Sequence, residues 1–200
     1  MIWPKVLICQ IAAVSFFLVL ISGPASLSAA EKKGVDEVSL PWTVFAGYGF
    51  SHTNLGKTRK WVETVDLVGR YELGGSEALG RSWYQGRHSL LVEIPVHFVV
   101  DPAANPMVGV NFLACYRLTS LGGIQPYGFG GGGPLYSGSL IDGMGTHWNG
   151  NWLFGIGLRL PMASGHDMRF EYRYHHISNG GRTEPNDPLN SSKLLVGISF

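Results

Sequence analysis

The chain has 200 residues and a formal net charge of +1, with no long run of Lys or Arg, which argues against a nucleic-acid partner. Of its two cysteines, Cys9 lies in the first thirty residues, so a processed chain keeps only Cys115 and has no intramolecular disulfide. Charged residues make up 14% of the chain where a soluble domain usually carries ~25%, so an ordinary water-soluble globule is disfavoured.

Residues 1–30 have the three-part layout of a secretory signal peptide: one charge at Lys5, an apolar run from Val6 to Ile21, a break at Gly23 and Pro24, and small residues Ser28, Ala29 and Ala30. An uncleaved anchor is the alternative, since the apolar run approaches spanning length. Residues 31–200 are of a size for one domain.

From residue 41 onward the apolar pattern has period two. Eight segments carry it, at 41–50, 62–72, 88–100, 106–117, 124–132, 147–160, 166–178 and 191–200. In the third, Leu90, Val92, Ile94, Val96, Phe98 and Val100 face one way, and Leu91, Glu93, Pro95, His97 and Val99 the other. In the fourth, Val110, Phe112, Ala114 and Tyr116 oppose Asn111, Leu113, Cys115 and Arg117, and in the sixth, Trp152, Phe154, Ile156, Leu158 and Leu160 oppose Gly155, Gly157 and Arg159. Such alternation makes a sheet with one apolar face, and about 9–11 residues suffice for a tilted strand to cross an outer membrane.

The predicted fold is therefore all-β, an eight-stranded antiparallel transmembrane barrel of the bacterial outer membrane, closed so that no edge is left. The terminal Phe200 on an alternating strand resembles the C-terminal signature of such proteins. Gly128, Gly130, Gly132, Gly155 and Gly157 are expected on the crowded inner face. An exported lipocalin-like barrel is the soluble competitor, but it needs a charged exterior.

With both ends on the periplasmic side, the seventh strand runs outward and 179–190 becomes the last extracellular connection, while 73–87 is a long periplasmic one. On that seventh strand Met168, Phe170, Tyr172 and Tyr174 take the apolar side, and Arg169, Glu171, Arg173 and His175 the polar side. The same parity places His176 and Ser178 on the apolar, outward face, where polar groups call for a reason. At i and i+2 they project together about 6.5–7 Å apart along the strand, close enough for an imidazole to activate a hydroxyl nucleophile. The plainer alternative is that both mark the membrane interface, where the strand ends. Glu171, His175, Glu93 and His97 read as inward groups paired within the barrel.

The longer pattern His176-Ile177-Ser178-Asn179-Gly180-Gly181, followed by Pro185-Asn186-Asp187, resembles the signature of the PagL-type lipid A 3-O-deacylases. That resemblance implies an outer-membrane barrel that hydrolyses the ester at position 3 of lipid A with a Ser-His-acid triad on its outer surface. It assigns Ser178 as nucleophile and His176 as general base, and puts Asn179, Asn186 and the backbone near Gly181 around the oxyanion. At the third triad position, where the best-known members carry Glu, this chain has Asn190; Glu184 and Asp187 are the neighbouring carboxylates that could support His176 instead.

Lys57, Arg59, Lys60 and Arg182 are candidates for the phosphates of anionic lipid A, with solvated loop charge as the alternative. Trp42, Trp61, Trp148 and Trp152 are expected in interfacial belts. No His/Asp/Glu cluster has metal-ligand spacing, so neither metal nor other cofactor is expected. Lipid A or lipopolysaccharide and the outer membrane are the expected partners, with a second copy of the chain, as a homodimer, as a further one. The rival reading is a noncatalytic small barrel with a structural or adhesive role.

Overall fold

A computed structural model of the protein describes residues 41–75 and 80–200; the signal peptide expected over 1–30 lies outside the described residues. Among the described residues nine strands follow in chain order: β1 (Trp42–Ser51), β2 (Glu63–Gly75), β3 (Gly86–Asp101), β4 (Asn105–Gly109), β5 (Asn111–Leu118), β6 (Gln125–Ser137), β7 (Trp148–Pro161), β8 (Asp167–Ser178) and β9 (Leu189–Ser199). Each pairs antiparallel with its neighbours, and β1 pairs with both β2 and β9, which closes the sheet into a barrel.

There are eight staves, because β4 and β5 are two parts of one. Val96 faces Val108 and Glu93 faces Asn111, so the register of β3 runs unshifted through the gap at Val110. Prolines cause the gap. Val110 donates to the Pro134 carbonyl (3.1 Å), but Pro134 on β6 has no N–H to return, nor has Pro95 on β3.

The alternation read from the sequence becomes an inside-out distribution of polarity. Val65, Leu67, Ile94, Phe98, Phe112, Phe154, Ile156, Val196 and Ile198 are exposed on the outside, while Asp66, Arg70, Glu93, His97, Glu171, Arg173, His175 and Lys193 are buried within. A soluble barrel has the opposite arrangement, so the lipocalin-like alternative falls; the apolar exterior suits hydrocarbon.

Inward charges are balanced locally. Arg70 bonds Glu93 (2.7 Å) and Glu171 (2.6 Å), and Arg173 bonds the same two carboxylates (3.0 and 2.6 Å). The Arg70 guanidinium also lies over the rings of Phe45 (4.5 Å) and Phe129 (5.2 Å). Nearer the far rim, Lys193 and His97 share Asp66 at 2.9 and 2.6 Å. His175 reaches Asn151 (3.2 Å). These contacts bear out the structural reading of Glu93, His97, Glu171 and His175. At the rim opposite the C-terminus, Val62, Val99, Met107, Leu135, Ile141, Met144, Ile177 and Leu189 form an apolar plug.

Three expectations need correction. Gly155 and Gly157 do face inward, but Gly128, Gly130 and Gly132 face outward, because Tyr127 and Phe129 take the inward positions of β6. Their rings fill the space that side chains at Gly157 and Gly155 would occupy. β6 also continues to Ser137 rather than ending at residue 132, because cross-strand pairing with β7 persists through Gly133 and Pro134. The connection expected over 73–87 spans only 76–85, since β2 and β3 extend into it.

Candidate active site

β8 carries His176 and Ser178 to the far rim on the lipid-facing side, as the period-two parity requires. β9 begins there, and its register sets Asn190 directly opposite His176, while β7 sets Trp152 opposite it on the other flank. Directly opposed side chains on one face lie within reach of each other. Three residues from two strands thus meet in one row.

The row is hydrogen-bonded end to end. Ser178 Oγ lies 3.1 Å from His176 Nε2, and His176 Nδ1 lies 2.7 Å from Asn190 Oδ1. Asn190 Nδ2 donates to the Leu55 carbonyl (3.0 Å) and to Thr58 Oγ1 (2.8 Å). With its nitrogen given to the Leu55 carbonyl and the Thr58 hydroxyl together, the amide presents its oxygen to the imidazole, so His176 carries its proton on Nδ1 and leaves Nε2 to accept from Ser178. Tyr174 Oη donates to the same Asn190 oxygen (2.7 Å), and the Trp152 ring stacks on His176 with centroids 5.0 Å apart. Opposite Ser178 stands Gly150, so no side chain crowds the hydroxyl from that strand.

Neither carboxylate alternative touches His176. Asp187 pairs with Arg59 (3.2 Å), and Glu184 lies beside it around a hollow also lined by Lys57, Arg59, Gly181 and Asn186. Asn190 is the group on Nδ1.

The loop after Ser178 is stapled by Asn179, whose side chain is buried. Its Nδ2 donates to the Thr183 and Pro185 carbonyls (2.7 and 3.2 Å), and its Oδ1 accepts from Gly181 N–H (2.9 Å). Asn179 N–H in turn donates to Asn186 Oδ1 (3.1 Å). The N–H groups of Asn179 and Gly181, expected at the oxyanion, are therefore spent inside the loop, whereas Asn186 Nδ2 and the Gly180 N–H have no hydrogen-bond partner among the described residues. Gly180 and Gly181 sit at φ of +67° and +73°, a conformation that side chains oppose, which lets the chain turn back within three residues of the hydroxyl.

Of the cations expected to meet phosphates, Arg59 is held by Asp187 and Lys60 by Asp142 (2.9 Å). Lys57 and Arg182 are exposed and have no ion pair among the described residues. Trp42, Trp148 and Trp152 are exposed on the barrel exterior; Trp61 stacks on Phe50. Sequence reasoning missed Leu55, Thr58 and Tyr174 as neighbours of the row. Thr58 stands 132 residues from Asn190, and no local pattern marks it.

A family model described as lipid A 3-O-deacylase (PagL) matches residues 37–199. A crystal structure of the outer membrane enzyme PagL superposes with a TM-score of 0.61 at 20% identity, covering 78% of this chain and 97% of that one. Neisserial surface protein A superposes with a TM-score of 0.56 at 12% identity, covering 80% and 96%. A search of curated proteins found no match.

Proposed function

This chain belongs to the lipid A 3-O-deacylase (PagL) family and is an outer-membrane lipid A deacylase, and from that premise we propose that it works as a serine esterase on the acyl chain at position 3. The observation that carries this reading is the Ser178–His176–Asn190 row on the lipid-facing side of the barrel.

In this mechanism His176 Nε2 takes the Ser178 proton as Oγ attacks the ester carbonyl, forming a tetrahedral oxyanion. Asn186 Nδ2 donates to that oxyanion, a contact typically worth about 3 kcal/mol. The imidazolium then protonates the leaving sugar oxygen, and water, deprotonated by the same imidazole, releases the 3-hydroxy fatty acid. Asn190 holds the imidazole through Oδ1 but brings no negative charge.

Substrate arrives sideways. Lipid A in the outer leaflet reaches an outward-facing hydroxyl without entering a pocket, its acyl chains lying along the apolar barrel wall. The sugar phosphates meet Lys57 and Arg182, which have no carboxylate partner among the described residues. Export through the segment 1–30 delivers the barrel to that membrane.

The test is to purify the barrel in detergent, incubate it with lipopolysaccharide, and follow lipid A by mass spectrometry beside a Ser178→Ala control. We expect loss of one ester-linked 3-hydroxyacyl group, slowed at least a hundredfold by the substitution. Unchanged lipid A from a folded barrel would point to the noncatalytic reading.

A further inference from the structure

We propose that Thr58, on the connection between β1 and β2, is a positioning residue that allows an amide to stand where a carboxylate would serve beside His176. The proposal rests on the triad reading above.

A carboxylate offers an oxygen whichever way it is turned, but an amide does not. With Asn190 Oδ1 toward His176, the imidazole proton sits on Nδ1 and Nε2 can take the Ser178 proton. With the amide turned over, Nδ2 would donate to Nδ1, the ring proton would move to Nε2, and Ser178 would lose its base. Tyr174 Oη, a hydroxyl that can donate or accept, serves either face of the amide, so the choice between the two falls to what lies behind it.

Behind it are groups that only accept. The Leu55 carbonyl lies 3.0 Å from Asn190 Nδ2. Thr58 Oγ1 gives its own proton to the Pro188 carbonyl (2.9 Å), so toward Asn190 it presents lone pairs, which accept from Nδ2 (2.8 Å) and from the backbone N–H (3.0 Å). Two main-chain carbonyls, which have no proton to give, thus fix the direction of the whole chain of bonds.

The loop is shaped to deliver this hydroxyl. Residues 53–57 are exposed, whereas Thr58 is 2% exposed. Asn54 N–H donates to the Thr58 carbonyl (2.9 Å), Thr58 N–H to the Leu55 carbonyl (3.2 Å), and His52 N–H to the Asn190 carbonyl (2.8 Å). The same short turn holds both acceptors against the amide.

The experiment measures kcat and KM for Thr58→Val and Thr58→Ser, each in the parent and in an Asn190→Asp background, with folding checked by the heat-dependent gel shift of the barrel. Thr58→Val removes the acceptor and is expected to lower kcat about tenfold with KM within about twofold. Thr58→Ser should recover most of the rate. In the Asn190→Asp background, where no wrong face exists, Thr58→Val should change kcat less than about twofold. Nitrogen NMR of the His176 ring gives a readout independent of turnover, the proton leaving Nδ1 for Nε2 in Thr58→Val alone.

An equal loss in both backgrounds, an unchanged kcat in the parent, or an Nδ1 proton unmoved in Thr58→Val would overturn the proposal. Activity that survives Ser178→Ala would instead overturn the triad reading itself.

Discussion

At the residue scale, the proposed chemistry turns on what stands behind one imidazole. Asn190 can orient His176 but cannot neutralise the imidazolium by charge, whereas a buried carboxylate does both; in a serine protease the loss of that carboxylate costs about 10⁴ in rate. Two outcomes follow for lipid A deacylation rates. Asn190→Leu, which leaves Nδ1 without an acceptor, should slow deacylation at least about a hundredfold, and Asn190→Asp should keep at least the parent rate. Glu184→Gln and Asp187→Asn, remote from the imidazole, should leave it within about threefold. His176 and Ser178 were legible from parity, since a strand period of two assigns a face to every residue once one face is known. Asn190 was legible only through the family pattern. Thr58 was not legible at all, because a contact across 132 residues leaves no trace in local spacing.

At the element scale, the sheet makes the row by register. A slip of one residue between β8 and β9 would turn Asn190 to the other face and dissolve the row. The register of the β6–β7 pair is held in part by complementary shapes inside, where glycines on β7 receive aromatic rings from β6. A Cβ at Gly155 would lie 2.6 Å from the Phe129 ring, so Gly155→Val forces that ring or the strand to move. We expect it to lower barrel stability by about 1–3 kcal/mol, read as a lower urea midpoint, with activity lost in proportion to the unfolded fraction. The outward glycines of β6 were misassigned because a glycine has no side chain to reveal its face. Only the flanking Tyr127 and Phe129 carry that information, and which way an aromatic points depends on whether lipid or a crowded interior is the better fit.

At the scale of the whole molecule, the barrel is an apolar shell around a charged core. Arg70, Glu93, Glu171 and Arg173 sum to zero charge and bury all four groups, so removing one leaves another uncompensated. Glu93→Gln should cost about 3–5 kcal/mol of stability in urea unfolding from detergent. On the shell, Val196→Arg, placed toward hydrocarbon, should cost about 2–4 kcal/mol. Composition and alternation were enough to specify a closed eight-stave barrel, its inside and outside, and the lipid-facing placement of His176 and Ser178, because these follow from a period of two and a shortage of charge. Tertiary structure alone decided that Asn190 rather than Glu184 or Asp187 meets the imidazole, that Asn179 and Gly181 spend their N–H groups within their own loop, and that Leu55 and Thr58 orient the amide. Those outcomes depend on how loops from opposite ends of the chain converge on one rim, and on which donors and acceptors are already satisfied there, which no local pattern encodes.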